Sequence, residues 1–385
     1  RLYGVWSDGG AGMLLSGNIQ VDADHLERPG NVVIDREPDA ATRQALQRWT
    51  SAATRNGNHF WAQISHAGRQ TQKIVNPHPK APSAVKLGLP GGQFGEPVAL
   101  TIEEIEDLVR RFALCARVAK ECGFTGVQVH AAHGYLLSQF LSPRSNQRQD
   151  QYGGSLENRA RMLLDIVRAV RESVGADFPL AVKLNSADFQ RGGFDFADSL
   201  QVAKWLQAEG LDLLEISGGT YEQPKLLGIA GIEEEEPQQV AQSTRKREAY
   251  FVDFALAMRE EISMPLMVTG GFRLREAMEQ AVTGGGADII GLGRPMCVEP
   301  DAPAQILAGC DELTRYEDSL SLFPHWLAFL NRNQSLRTLA GFSTQYWFYA
   351  QLEEMGRHGK SSPGMSVFAA TRRVMSLQKQ LLAAR

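Results

Sequence analysis

The segment Gly126-Val127-Gln128-Val129 is a short apolar run that lies between two long amphipathic stretches. Residues 101–122 before it and residues 156–174 after it have the apolar spacing of helices. Thr101 and Glu104 form a capping-box pattern at the start of the first of these helices. A buried strand between two helices is the unit of a parallel α/β sheet.

The same alternation of strand and helix continues in both directions along the chain. Further strands are predicted at 13–16, 60–64, 179–184, 211–216, 265–268 and 287–291. Further helices are predicted at 40–55, 196–209, 245–262, 275–282 and 302–307. Seven strands suit either a doubly wound sheet or a TIM barrel that lacks one strand. Residues 1–8 have helical character, and a strand before them would make eight. We therefore expect an α/β fold, a (β/α)8 TIM barrel whose first strand is absent from this sequence.

The barrel is expected to span residues 1–310, followed by a helical C-terminal extension, rich in aromatic residues, at 311–385 and packed on the barrel. Two long connections, 65–100 and 218–244, follow strands and contain no predicted element. In a barrel they belong to the active-site face. Glu233-Glu234-Glu235-Glu236 in the second connection is interpreted as a solvated loop tip.

Composition excludes several classes of protein. The chain has 385 residues, with 40 Lys and Arg against 44 Asp and Glu, so a general nucleic-acid binder is not expected. Its longest apolar runs are shorter than 18 residues, which predicts no membrane span. The four cysteines match neither a disulfide scaffold nor a metal-binding spacing, and no signal-like segment follows Arg1. We expect a cytoplasmic protein, and the sequence leaves open whether it forms a homo-oligomer.

The third predicted strand ends in His130, and His133 and Tyr135 follow it directly. Two imidazoles at a barrel mouth can hold a carbonyl oxygen and stabilise an enolate, and a phenol beside them can deliver a proton. Two alternatives stay open at this point. His-x-x-His can bind a metal, although no third ligand is evident nearby, and the histidines can be structural.

Other strand ends carry candidate binding residues. Gln63 has an amide suited to a heterocycle with imide-like groups, or it is a hydrogen-bonded core residue. Lys183 lies inside an apolar strand, where a cation is costly unless it faces an anion, and a Schiff-base role is an alternative. Glycine-rich turns that open onto helices follow the last two strands and predict a phosphate site. Its residues are Gly270, Gly271, Gly293 and Arg294.

The longest specific pattern in the chain starts at His130 and extends to Arg161. It comprises His130-Ala-Ala-His133-Gly134-Tyr135, Gln139-Phe140, Pro143, Asn146, Arg148, Asp150, Tyr152-Gly153-Gly154-Ser155, Asn158-Arg159 and Arg161. This pattern resembles the signature of the Old Yellow Enzyme family of FMN-dependent NAD(P)H oxidoreductases. The segment Ser65-His66-Ala67-Gly68-Arg69-Gln70 resembles the loop after the family's third strand. The resemblance covers residues 9–295.

The resemblance implies a role for each candidate residue. Gln63 would bond the flavin pyrimidine edge, Lys183 would lie near flavin N1 and O2, and Asn18 would meet the flavin after the first visible strand. The two glycine turns and Arg294 would hold the FMN phosphate. His130 and His133 would bind the substrate's electron-withdrawing group, and Tyr135 would be the proton donor.

Two departures from the family pattern matter. The family's opening strand carries a Pro-Met motif and a Thr or Cys that tunes the flavin, and this sequence begins after that place. The cysteine cluster and the further domains of the larger relatives are not recognisable. The resemblance is therefore to the single-domain, flavin-only branch.

The implied function is ping-pong reduction of an activated C=C bond, in an α,β-unsaturated carbonyl or nitro compound, with NADH or NADPH as hydride donor. A dehydrogenase or demethylase of the same family is an alternative. From another class, a flavin-free barrel aldolase would use Lys183 as its Schiff base. A non-catalytic remnant of the family is the last alternative.

Overall fold

A computed structural model describes residues 1–89, 92–222, 251–323 and 334–383 of the chain. The strands are β1 (Met13–Leu15), β2 (Ile19–Gln20), β3 (Val32–Val33), β4 (His59–Ser65), β5 (Lys80–Ala81), β6 (Val98–Ala99), β7 (Gly126–Ala131), β8 (Leu180–Asn185), β9 (Leu213–Ser217), β10 (Leu266–Thr269) and β11 (Ile289–Gly291). The helices are α1 (Leu2–Asp8), α2 (Ala40–Ala53), α3 (Ile102–Glu121), α4 (Leu136–Leu141), α5 (Leu156–Val174), α6 (Phe196–Ala208), α7 (Val252–Arg259), α8 (Arg275–Thr283), α9 (Ala302–Leu307), α10 (Gln334–His358) and α11 (Val367–Ala383).

The seven runs predicted as strands form one parallel ladder in chain order: β1, β4, β7, β8, β9, β10 and β11. The prediction of a parallel α/β sheet of the barrel type is confirmed. β2 also pairs with β4, and β3 pairs with β2. Within the described ranges, no backbone pairing joins β1 to β11. The ladder is thus open where the eighth strand of a closed barrel would pair.

The strand register sorts the inward-facing side chains into an apolar floor and a polar layer. Register partners in a parallel ladder point to the same face, and alternate residues along a strand share that face. The floor consists of apolar residues that pack with one another: Met13, Leu15, Trp61, Ala181, Leu213, Met267 and Ile289. Two residues further along the central strands come Gln63, Gln128, Lys183 and Glu215. The sheet therefore carries polar groups above an apolar base.

The outer faces of the strands pack against helices. In α3, the buried residues Ile105, Leu108, Phe112 and Cys115 recur every three to four positions and form one apolar stripe against the sheet and α5. Full burial of a side chain such as Phe112 stabilises the fold by about 2–3 kcal/mol. Both hydrogen bonds of the predicted capping box between Thr101 and Glu104 are present.

The predicted helical extension is confirmed as α10 and α11. These helices share a second core, which contains Trp347, Phe348, Val367 and Val374. The Trp347 indole N–H donates to the Met365 carbonyl oxygen at 2.7 Å. α10 packs against α1, so the extension lies against the first helix of the barrel. None of the described helices is long and apolar enough to cross a membrane.

The structure also departs from the predictions. The connection 65–100 does contain elements, a 3-10 turn at Gly68–Gln70 and the β5–β6 pair. α4 was not predicted because all six of its residues are buried, which leaves no amphipathic pattern. Most of the connection 218–244, including the run of four glutamates from Glu233, lies outside the described residues, as do residues 245–250 of the helix predicted at 245–262.

Candidate active site

The end of β7 brings three predicted site residues together. The ring centroids of His130 and His133 lie 5.2 Å apart, and those of His130 and Tyr135 lie 4.9 Å apart, both in edge-to-face contact. His130 and Tyr135 are buried. Two imidazoles and a phenol therefore meet at the carboxyl end of the sheet, where barrel enzymes place their chemistry.

His133 is held in an unusual backbone conformation. Its φ of 61° lies in the left-handed region, which costs a non-glycine residue about 1–2 kcal/mol. Side chains of two neighbours fix it: the His133 N–H donates to Asn185 Oδ1 at 3.1 Å, and Gln70 Nε2 donates to the His133 carbonyl oxygen at 3.1 Å. The His133 ring nitrogen Nε2 lies 2.7 Å from Ser217 Oγ. These contacts fix the position of the imidazole.

Both histidines are neutral at pH 7. Burial, and then the nearby charge of Lys183, lowers the pKa of His130 and of His133 well below the usual value. His130 Nδ1 accepts the Ala132 N–H at 3.2 Å, so the hydrogen of the neutral ring lies on Nε2. A neutral imidazole of this tautomer can still donate a hydrogen bond to a carbonyl oxygen.

Tyr135 is part of a hydrogen-bonded group that the sequence analysis missed. Its hydroxyl donates to Glu27 Oε2 at 2.7 Å and lies 2.8 Å from the Tyr221 hydroxyl oxygen. Burial, followed by the charge of Glu27, raises the pKa of Tyr135 well above its usual value, so the phenol keeps its proton. Glu27 and Tyr221 lie in connections without strand or helix periodicity, and no sequence signal marks them.

Gln63 and Lys183 belong to one polar chain across the inner face of the sheet. Gln63 Nε2 donates to Gln128 Oε1 at 2.6 Å, and Gln128 Nε2 donates to Glu215 Oε2 at 2.8 Å. Lys183 Nζ forms a salt bridge with Glu215 Oε1 at 2.8 Å. Glu215 is thus the anion that a buried Lys183 requires. Gln128 and Glu215 were missed, although each is a polar residue inside an apolar strand, the signal that identified Lys183.

Several buried polar atoms near the start of the sheet lack a partner among the described residues. They are Asn18 Oδ1, both amide atoms of Gln20, and Ser65 Oγ. Gln20 and Ser65 are register partners and so share a face of the sheet. An unpartnered buried polar group costs about 1–3 kcal/mol, so such a cluster indicates a polar ligand. The amide of Asn18 also donates through Nδ2 to Glu27.

The predicted phosphate residues lie at the ends of β10 and β11. Gly270 and Gly271 have φ values of 149° and 79°, which other residues rarely adopt. Gly293 precedes a 3-10 turn of four residues, Arg294–Cys297, and not an α-helix. The expectation that both turns open onto α-helices is therefore wrong for the second one, where the chain soon continues into α9.

A second arginine joins Arg294 at this place. Arg273 Nη2 donates to Glu317 Oε1 at 2.6 Å, and Arg294 Nη1 lies 3.1 Å from the same oxygen. Burial lowers the pKa of Arg294. Glu317 comes from the segment before the C-terminal helices. The two guanidinium groups thus already converge on a carboxylate, which shows that an anion can be held there. Arg273 was missed, although it follows Gly270-Gly271-Phe272 directly.

Asp22, His25 and His66 form a buried cluster in which potential ligand atoms lie within 4.8 Å of one another. His25 Nε2 accepts the Lys80 N–H, and His66 Nδ1 accepts the Gly68 N–H. The other ring nitrogens therefore carry hydrogen and face Asp22, at 3.2 and 3.9 Å. A metal ligand needs the opposite arrangement, with a lone pair toward the ion.

This cluster is better described as a cradle for the Asp22 carboxylate. Arg111 Nη1 adds positive charge 3.4 Å from the same Asp22 oxygen. Burial alone would raise the pKa of Asp22. The neighbouring His25 and His66 rings outweigh this effect and hold the pKa well below its usual range. The cradle joins the segment after β2 to the segment after β4.

Three comparisons place the chain among known proteins. The sequence profile of the NADH:flavin oxidoreductase / NADH oxidase family matches residues 3–312. The NADH-dependent flavin oxidoreductase iliE of Neonectria sp. (strain DH2) is 38% identical over 319 residues, which are 79% of this chain and 41% of that protein. Its namesake in Hypocrea jecorina (strain QM6a) is 36% identical over 323 residues, which are 80% of this chain and 79% of that protein.

Among solved structures, the old yellow enzyme homologue from Zymomonas mobilis superposes with a TM-score of 0.66. The two share 26% identity, over 82% of this chain and 84% of that one. This chain thus spans less than half of the Neonectria relative and most of the other two proteins.

Proposed function

Because this chain belongs to the NADH:flavin oxidoreductase / NADH oxidase family, we propose that it is a reductase of activated carbon–carbon double bonds. Its class is that of an FMN-dependent oxidoreductase. The family and the two relatives indicate NADH as hydride donor, and NADPH is the alternative donor. The substrate class that we propose is α,β-unsaturated carbonyl or nitro compounds, reduced in a ping-pong sequence in which nucleotide and substrate use the same site.

The residues present suit FMN. Asn18, Gln20 and Ser65 supply the unpartnered polar atoms that a flavin edge would satisfy, and Gln63 and Lys183 extend this polar face. Arg273 and Arg294, with the backbone of the glycine turns, would hold the phosphate. A phosphate monoester carries about two negative charges, against one on the carboxylate that these arginines already contact. When bound, FMN would supply the redox chemistry, which is hydride uptake from NAD(P)H and hydride delivery to the β-carbon of the alkene.

The protein's own residues would bind, polarise and protonate the substrate. His130 and His133 donate hydrogen bonds to its carbonyl or nitro oxygen, which a neutral imidazole can do. An oxyanion donor of this kind contributes about 3–4 kcal/mol to the transition state. Tyr135 delivers a proton to the α-carbon. The Schiff-base alternative needs a neutral Lys183 amine, and the salt bridge to Glu215 works against it.

One observation carries the proposal: the edge-to-face group of His130, His133 and Tyr135 at the carboxyl end of the sheet, where His130 is the register partner of Lys183. Two neutral donors and a protonated phenol are what polarisation and protonation of an enone require. Structural histidines alone would not need an adjacent buried phenol.

Tyr135→Phe tests the proposal. With FMN bound, NADH should bleach the flavin of this variant at the wild-type rate, because Tyr135 has no part in hydride uptake. Reoxidation of the reduced flavin by 2-cyclohexen-1-one should slow by about 100-fold or more, the usual contribution of a general acid. Rapid-mixing absorbance measures both half-reactions. An unchanged enone half-reaction would remove Tyr135 as proton donor.

A further inference from the structure

The Tyr135 hydroxyl is enclosed by two oxygen-bearing side chains. Glu27 Oε2 accepts its hydrogen at 2.7 Å, and the Tyr221 hydroxyl lies on another side at 2.8 Å. A phenol that gives up its proton in this position leaves an oxyanion next to a carboxyl group, in a buried site. That oxyanion must regain a proton before the next cycle.

The two neighbours differ as proton sources. Burial raises the pKa of Tyr221 far above the usual value for a phenol, so Tyr221 can donate a hydrogen bond but is a poor acid. Glu27 bears a carboxyl group, which in its protonated form is a far stronger acid than any phenol. The Glu27 side chain keeps 12% of its surface exposed, so it can exchange protons with solvent.

We propose that Glu27 is the proton-relay residue that reprotonates Tyr135 during alkene reduction. This inference rests on the proposed function, in which Tyr135 protonates the substrate. The Tyr135 O–H bond breaks as the C–H bond forms at the α-carbon, and the electron pair of the enolate makes that bond. A proton from bulk water then moves to the Glu27 carboxylate, with hydroxide left in the solvent. This new Glu27 O–H bond breaks as the Tyr135 O–H bond forms again, so the net proton comes from solvent.

The fold holds Glu27 firmly in this place. Its segment follows β2 and is fixed to the segment after β4, because the Ala67 N–H donates to the His25 carbonyl oxygen and the Asp22 cradle joins the same two segments. On the other side, the Arg28 guanidinium lies 4.0 Å from the centre of the Tyr349 ring, which belongs to α10. The C-terminal extension thus helps to fix the position of the segment that carries Glu27.

Charged and titratable groups surround the Glu27 carboxyl from several elements. Arg28 Nε lies 3.7 Å from Oε1, and Asn18 Nδ2 donates to Oε2. The titratable groups that face it are Arg28, Tyr135, Tyr221 and Tyr349. Arg28 supplies positive charge beside the Glu27 carboxyl group, and the phenols are neutral.

The experiment compares Glu27→Gln, Glu27→Asp and Tyr135→Phe in the FMN-loaded protein, in the first turnover and in steady state. Glutamine keeps the acceptor oxygen and cannot relay a proton. Because Tyr135 already carries its proton, we expect Glu27→Gln to leave the first flavin reoxidation by 2-cyclohexen-1-one within about threefold of wild type and to slow steady-state enone reduction at least about tenfold. Aspartate, which keeps the carboxyl group, should restore most of the steady-state rate. Bleaching by NADH should stay within about twofold of wild type in all three variants.

The outcomes separate the relay from the proposed function. A slow first turnover in Tyr135→Phe beside a wild-type steady-state rate in Glu27→Gln would overturn the relay and leave Tyr135 as proton donor. An unaffected Tyr135→Phe variant would overturn the donor role and the relay together. In the Tyr135→Phe background, Glu27→Gln should have no further effect, whereas a purely structural role would still add its own loss.

A second readout needs no flavin. The Glu27 carboxylate opposes ionisation of Tyr135, so Glu27→Gln should move the ionisation of one of the eight tyrosines to lower pH in an alkaline ultraviolet titration. The same substitution should cause no such change in the Tyr135→Phe background. Superimposable titrations of wild type and Glu27→Gln would contradict the contact on which the relay depends.

Discussion

The salt bridge between Lys183 and Glu215 is the structural feature whose removal has the most predictable cost. Glu215 is fully buried, and 12% of the Lys183 side chain is exposed. Glu215→Gln removes the negative charge but keeps an amide oxygen that Gln128 Nε2 can still use as an acceptor. The substitution therefore leaves one buried, unpaired ammonium group as its main consequence.

The magnitude follows from the geometry. Two unit charges 2.8 Å apart attract each other by about 6 kcal/mol at an effective dielectric constant of about 20. Desolvation of the two groups offsets part of this attraction, and breaking one partner of a buried pair typically costs about 3–5 kcal/mol. We expect Glu215→Gln to lower the free energy of unfolding by that amount. Lys183→Met together with Glu215→Gln should recover at least about 2 kcal/mol of it.

Urea unfolding measures both values from the midpoint at constant m-value. The matched control is Glu261→Gln, which removes the acidic partner of Lys204 at 2.9 Å in a salt bridge whose side chains are 37% and 51% exposed. That change should cost less than about 1 kcal/mol. If Glu215→Gln cost no more than Glu261→Gln, or if the double variant were merely additive, the assignment of a buried ion pair would be refuted.

Two further predictions concern pH and cofactor affinity. Burial, followed by the neighbouring His25 ring, lowers the pKa of His66 to about 4. Because the unfolded chain therefore binds more protons than the folded chain, His66 alone should contribute about 3 kcal/mol to the fall in the free energy of unfolding from pH 6.5 to pH 4, and His66→Gln should reduce that fall by the same amount in a urea-midpoint profile. Arg294→Ala should weaken FMN binding about 10- to 100-fold in a fluorescence titration, the value of a charge-assisted hydrogen bond. Arg275→Ala, which removes a partly exposed arginine paired with Glu279 and Asp311, should not weaken it, and equal affinities of the two variants would exclude Arg294 from the phosphate site.

The sequence was sufficient for the parallel sheet because each strand is a short apolar run between amphipathic helices. α5 and α9 have the predicted bounds, since an amphipathic stripe or a flanking turn marks both ends. α4 could not be predicted from the sequence because it is buried on every side. Periodicity reports a contrast between two faces of an element and gives no signal where that contrast is absent.

The candidate site was predictable where chemistry is concentrated in one local pattern. The residues from His130 to Tyr135 follow one strand, so their proximity could be inferred from spacing. Glu27, Tyr221 and Glu317 reach the site from distant connections, and their contacts exist only through the folded chain. Glu215 could have been found by the argument applied to Lys183, because neighbouring parallel strands place equivalent buried positions side by side.

The central claim is that this chain binds FMN and passes electrons from a nicotinamide nucleotide through it. The most direct measurement is the visible spectrum of the purified 385-residue chain titrated with FMN, before and after anaerobic addition of NADH and then NADPH. The account predicts a perturbed flavin spectrum that stays with the protein through gel filtration and bleaches with at least one nucleotide. Elution of all the FMN apart from the protein, with no bleaching by either nucleotide, would contradict it.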